Sequence, residues 1–230
     1  MVHLKTLNIK ETIKGVIIIG LYFILPSILY SPLLFLVNKG IINKVIAYLL
    51  LYIILTTFFM IIYHKDLIKD FKLFIKDKKN IMKVSYDCWL KGLAAMYISS
   101  IIITALNLAP NVNQEANLEI LNKYPLLEFA FACILAPIME ELVFRRSLKK
   151  ATNDTKLYAI TTGILFGLIH VTSSLSQGLS MLVYLIPYSA LGIAFGFAYS
   201  KTNNIYGTII AHATHNFIAL ILSLLFGGLV

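Results

Sequence analysis

The 23 residues from Gly15 to Val37 contain no Asp, Glu, Lys, Arg or His, and the 19 from Val45 to Tyr63 repeat the pattern. A helix rises about 1.5 Å per residue, so each run is long enough to cross the roughly 30 Å hydrocarbon layer of a bilayer. The stretch from Leu157 to Ser200 is more constraining still, with 44 residues and His170 as its one side chain of those five types. As a single helix it would measure roughly 66 Å, twice the layer, so it must be two passes. Thr172, Ser173, Ser174, Ser176, Gln177 and Gly178 supply the turn between them.

Further crossings are expected from about Tyr86 to Leu108, from Pro125 through Glu140, and from Ile205 to about Leu225, with a polar loop of Asn111, Asn113, Gln114 and Glu115 between the first two. Over all 230 residues 59% are hydrophobic and 13% charged, against about 45–50% and 25% in soluble domains. The expected fold is therefore all-α, a polytopic transmembrane helix bundle of about seven spans. Residues 1–120 would form the N-terminal spans and 121–230 the functional core. The first span follows Lys5, Lys10 and Lys14, like the start of a signal peptide. Its apolar run is too long for one and no small-residue cleavage pattern follows, so an uncleaved anchor is expected.

Net charge is +9, and its placement argues for a membrane face over nucleic acid as partner. With a cytoplasmic N-terminus, seven spans put Lys5, Lys10, Lys14, the basic segment 64–85, Arg145 to Lys156 and Lys201 inside, leaving Lys39, Lys44 and Lys123 outside, as the positive-inside rule requires. Lys-heavy, Arg-poor usage points to an AT-rich bacterial genome, hence a multi-pass protein of a bacterial cell membrane. In the basic segment, lysines alternate with Leu67, Ile68, Phe71, Leu73, Phe74 and Ile75, compatible with an amphipathic helix on anionic headgroups. Asp87 and Lys91 stand four apart and can pair. Cys88 and Cys133 sit in apolar stretches, as buried free thiols do. Gly192, Ala194, Gly196 and Ala198 allow close helix packing, and Pro187 is expected to kink the sixth span.

Ionisable groups inside spans are costly enough to be functional by default. Glu140, Glu141, His170, His212, His215 and Asn216 fall there. Glu140 and Glu141 are adjacent and point about 100° apart on a helix. Glu141 precedes Arg145 by four residues, the favoured order for an ion pair, which leaves Glu140 to face the interior. Pro137 deprives the Cys133 carbonyl of its helical donor just before Glu140. Reflecting Glu140 through a turn near Asn153 and Asp154 lands near position 167, so Glu140 and His170 are expected to face each other, with Phe166 supporting the imidazole. His212 and Asn216 share a face of the last span as two hydrogen-bond donors, while His215 is ambiguous.

A carboxylate beside an imidazole in a low-dielectric cavity can hold and deprotonate a water. A His and an Asn donating from another helix can stabilise the oxyanion formed when that water attacks an amide carbonyl.

The sequences Glu140-Glu141-Leu-Val-Phe-Arg145, Phe166-Gly-Leu-Ile-His170 and His212-Ala-Thr-His-Asn216 match an EExxxR, FxxxH, HxxxN pattern, and the chain resembles the CPBP family of intramembrane glutamic proteases. That family includes CAAX prenyl endopeptidases and bacteriocin-processing or abortive-infection-like membrane proteins. The resemblance covers about Phe129 to Leu222. It implies an intramembrane endopeptidase in which Glu140 activates the water with His170 and His212 and Asn216 form the oxyanion hole. Glu141, Arg145 and Phe166 are then structural support, the substrate is a membrane-associated peptide or protein, and no metal or other cofactor is required.

Two rivals stay open. His170, His212, His215 and a glutamate could supply the three or four ligands of a zinc-dependent membrane metalloprotease, although no HExxH is present. A non-catalytic immunity- or transport-type protein could use the same groups as a relay.

Overall fold

The computed structural model describes residues 7–107 and 110–226, so Lys5 and Leu108 lie outside the described residues. Within them the chain is helical and no strand forms. The helices are α1 (Ile9–Asn38), α2 (Lys44–Ile62), α3 (His64–Ala105), α4 (Val112–Lys123), α5 (Pro125–Ala130), α6 (Ala136–Glu140), α7 (Thr155–Val171), α8 (Leu185–Thr202) and α9 (Ile205–Phe226). The protein is a polytopic helical bundle. Six helices among the described residues are long and apolar enough to cross a membrane: α1, α2, α3, α7, α8 and α9, with short 3-10 turns extending α7 and preceding α8. The other expected crossing is an unbroken helical run, 125–146, in which π turns at Phe131–Leu135 and Glu141–Arg146 interrupt α5 and α6.

α7 and α8 form the tightest pair, and glycine makes it so. A Cβ on Gly192 would lie 2.8 Å from the Gly163 carbonyl oxygen, and one on Gly196 2.8 Å from the Ala159 Cα, so the two backbones touch. The small-residue spacing thus does what it suggested. Phe195, Tyr199 and Tyr158 fill the remaining space and are buried. Pro187 stands third in α8, just past the 3-10 turns of Leu179–Tyr184 that lead into it.

Two stretches differ from expectation. Residues 112–123 form α4, not a loop, since the buried Asn111 side chain accepts from the N–H groups of Asn113 (2.9 Å) and Gln114 (3.3 Å). Asp87 and Lys91 do not pair, no ion pair within 4.0 Å joining them. Cys88 is buried and Cys133 half-buried, both as free thiols.

The basic segment is the first half of α3, and its helical geometry breaks at Asp77 (φ −132°, ψ 33°). One face packs on protein through Leu67, Asp70 and Phe74, while Ile68, Phe71 and Ile75 stay exposed. Asp70 caps α9 from outside: its carboxylate accepts from the Ile205 N–H at 3.1 Å, and its carbonyl accepts from Asn204 Nδ2 at 2.7 Å. Burial pushes the Asp70 carboxyl above the ordinary range, with the Ile205 N–H pulling the other way. Asp66 forms an ion pair with Arg146, which also donates to the Tyr199 hydroxyl at 2.8 Å. The Lys-rich end of α3 is thereby tied to α9 and to the end of the 125–146 run.

Candidate active site

Pro137 shapes this site before any catalytic chemistry enters. In the first π turn the Ala136 N–H bonds to the Phe131 carbonyl, five residues back. In that register the next donor, for the Ala132 carbonyl, would be the nitrogen of Pro137, which carries no hydrogen. Asn216 fills the gap, donating from Nδ2 to the Ala132 oxygen at 2.7 Å. The carbonyl left open is therefore that of Ala132, one residue before the Cys133 carbonyl expected from α-helical counting. One Asn216 N–H is committed to the backbone and one remains.

Around Glu141 the charges compensate in a closed set. Glu141 and Arg145 are fully buried, with Arg145 Nε 3.3 Å from Glu141 Oε2. The contact is one of charge, since neither atom meets hydrogen-bond geometry there. Arg145 Nη1 donates to the Thr162 carbonyl at 3.1 Å, and its guanidinium lies 4.8 Å from the centre of the Phe166 ring. The other Glu141 oxygen is 3.1 Å from His212 Nδ1. A carboxylate held beside Arg145 only accepts, so His212 carries its proton on Nδ1, and its Nε2 points onward. That Nε2 is 3.8 Å from Glu140 Oε2, past hydrogen-bond length and close enough for both to bind one water. Phe195 stacks on the His212 ring at 5.1 Å and Phe166 meets its edge at 5.5 Å, fixing its plane.

His170 stands differently from expectation. No ion pair or hydrogen bond joins it to Glu140, which faces His212 instead. His170 Nδ1 donates to the Phe166 carbonyl at 2.9 Å, and its ring is held between Phe166 (4.5 Å) and Tyr188 (4.7 Å). Its backbone oxygen accepts from Asn111 Nδ2 at 3.1 Å, so the cap of α4 also anchors the end of α7. Reflection through the turn fixed its depth on α7 and not its direction. With Nδ1 bonded, Nε2 is the free acceptor of the neutral ring. Phe166 is the common neighbour, in contact with Arg145, His170 and His212. His215 lies apart, its ring 6.5 Å from Trp89. Among the described residues no group of three or more His, Cys, Asp or Glu is placed to hold a metal ion.

Glu128 is absent from the residues singled out by sequence, although it lies in the same apolar run as Glu140. The rule that flagged Glu140 applied to it equally. It is 2% exposed and makes no ion pair or side-chain hydrogen bond among the described residues. A cavity of about 650 Å³ opens elsewhere, at the Lys-rich end, walled by Glu11, Asp66, Lys69, Arg146, Lys149 and Asn203 among others. None of the carboxylate–imidazole residues lines it.

The bundle and this cluster define a class: helical membrane proteins with a carboxylate–imidazole centre buried among their spans. Residues 122–218 match the family model described as type II CAAX prenyl endopeptidase Rce1-like. That segment carries the three motifs in order. The chain is 29% identical over 147 residues to the UPF0177 protein YxdF of Lactococcus lactis subsp. lactis (strain IL1403), covering 61% of this chain and 74% of YxdF. It is 28% identical over 115 residues to YdiL of Bacillus subtilis (strain 168), which carries the provisional name membrane peptidase, covering 49% of this chain and 43% of YdiL. No solved structure gives a significant match. These matches support a membrane protease.

Proposed function

We propose that the protein is an intramembrane endopeptidase of glutamic type, cleaving a peptide bond of a membrane-associated peptide or protein without a covalent intermediate. The observation that carries this reading is the 3.8 Å approach of Glu140 to a His212 ring held on its far side by Glu141. Arg145 stands against the two carboxylates, and an imidazolium at His212 would complete a charge-balanced set in which Glu140 stays ionised away from bulk water. In the reaction Glu140 takes a proton from a bound water, and the water oxygen attacks the scissile carbonyl carbon. His212, as imidazolium, donates Nε2–H to the resulting oxyanion, with the free N–H of Asn216 as second donor. Glu140 then returns the proton to the departing amine as the C–N bond breaks. His170 serves the same water through Nε2, from the other side of Phe166. The N-terminus is cytoplasmic in this reading, in a bacterial cell membrane.

Glu140→Gln removes the base at nearly constant shape. Cleavage should fall about 10²- to 10⁴-fold, the usual worth of a positioned general base, with insertion and thermal stability unchanged. Comparing membrane peptides from cells carrying wild-type and Glu140→Gln protein tests this and identifies the substrate. Equal peptide profiles would end the reading. Loss of activity to a strong chelator, with one zinc bound per chain, would replace it by the metalloprotease.

A further inference from the structure

Glu128 sits twelve residues before Glu140 on the same helical run. Twelve α-helical residues would turn the two side chains about 120° apart, at 3.6 residues per turn. The π turn at Phe131–Leu135 lies between them, and the extra residue that a π turn inserts takes about 100° off that angle. Glu128 and Glu140 are thus brought close to one face of the run, about 18 Å apart along it at about 1.5 Å per residue. Side chains from α2 and α1 bear this out. Tyr52, half-buried, lies with its ring tilted 34° to that of Phe131 at 5.0 Å and is near enough to both carboxylates to feel their charge. Tyr22, on α1, is near Glu140 and Tyr52. Tyr22 of α1 and Tyr52 of α2 therefore lie on the side of the run that Glu140 and Glu128 share.

The carboxylate of a residue that is 2% exposed and that has, among the described residues, neither a cation nor a hydrogen-bond donor is an expensive thing for a membrane helix to hold. Every other buried charge near the site has a built-in partner: Glu141 has Arg145 and His212, and Glu140 has His212. The geometry points to Glu128 as a specificity residue that receives a cationic group of the substrate, a Lys or Arg side chain or a chain-terminal ammonium. This rests on the peptidase reading above and adds a substrate class to it. An extended peptide advances about 3.3 Å per residue, so the cation would lie about five residues from the bond at Glu140, toward the α4 end. Desolvated by the same walls, the ion pair forms only when substrate is seated, which favours membrane peptides with one embedded positive charge over uniformly apolar ones.

The test separates binding from cleavage. Full-length Glu140→Gln protein in nanodiscs is titrated with fluorescent Leu/Ala single-span peptides carrying one Lys, or one Gln as neutral control, stepped through successive positions. One register should bind about tenfold or more tighter with Lys than with Gln. Adding Glu128→Gln should abolish the preference, and Glu128→Lys should transfer it to a peptide with Glu at that register. Glu128→Asp keeps the charge on a shorter arm and should keep a weaker preference for Lys, which serves if Gln disturbs the fold. Free and acetylated N-termini on otherwise identical peptides distinguish a terminal ammonium from a side-chain cation. A Lys preference unaffected by all three substitutions, or no preference at any register, overturns the assignment. Cleavage by wild-type protein with no such preference sinks this inference alone, whereas the preference without cleavage sinks the peptidase reading alone.

Discussion

Glu141 and Glu128 are both buried carboxylates on one helical run, and their surroundings are opposites. Glu141 is fully enclosed and engaged by Arg145 and His212, each of which is held in turn by Thr162, Phe166 and Phe195. Glu128 is almost as buried and engaged by nothing among the described residues. In the first arrangement each charge faces an opposite charge supplied by the protein, although Glu141 Oε2 and Arg145 Nε and Nη2 have no hydrogen-bond partner. The second lacks such a partner among the described residues, which is the property expected of a surface that meets substrate.

Breaking the Glu141 end should produce the largest change. Arg145→Met strands Glu141 as a buried uncompensated charge and should destabilise the folded state by about 3–5 kcal/mol, read as a fall in thermal midpoint in detergent. If the midpoint holds, the pair is not what organises His212. Asn216→Ala withdraws the donor from the Ala132 carbonyl, which Pro137 has already left open, and should cost about 1–3 kcal/mol in the same assay. Asn216→Asp cannot donate there as a carboxylate and should resemble Ala, whereas Asn216→Gln should recover part of the loss. At the other end the sign reverses: Glu128→Gln removes a charge without breaking a bond and should leave the midpoint level or raise it. A drop there would mean that Glu128 has a partner in the folded protein after all.

The smallest effect concerns Asp70. Burial holds its carboxyl proton to higher pH in the folded chain than in the unfolded one. The stability linked to that proton is therefore present in acid and is lost as pH rises through and above the ordinary carboxylate range. Asp70→Asn should flatten this part of the pH–stability curve, and an unchanged difference between the two proteins across that range would contradict it.

The order of these effects also marks what a linear sequence can carry. Spans were readable from the absence of charge, and three motifs were readable because each lies inside one continuous helical run. Glu141 and Arg145 belong to this group, since four residues bring side chains together in the α and π stretches alike. His170 does not. Its depth followed from counting, but its direction depends on the rotation of α7 against α8, which Gly163 and Gly192 settle by backbone contact. Neither was the common face of Glu128 and Glu140 readable, because counting in steps of 3.6 fails across a π turn. Asp70 looked like one more charge among lysines, and its role as a cap depends on a helix 135 residues further along.

That last connection has a mechanical consequence. The first hydrogen bond of α9 is supplied by another segment, one full stretch of chain away, and His212 lies seven residues beyond it. The height at which the imidazole meets the two glutamates is consequently pegged from the Lys-rich rim of the bundle. A ligand, lipid or partner that tugged on that rim would slide the imidazole along its axis, changing the spacing at the reaction centre without ever entering it.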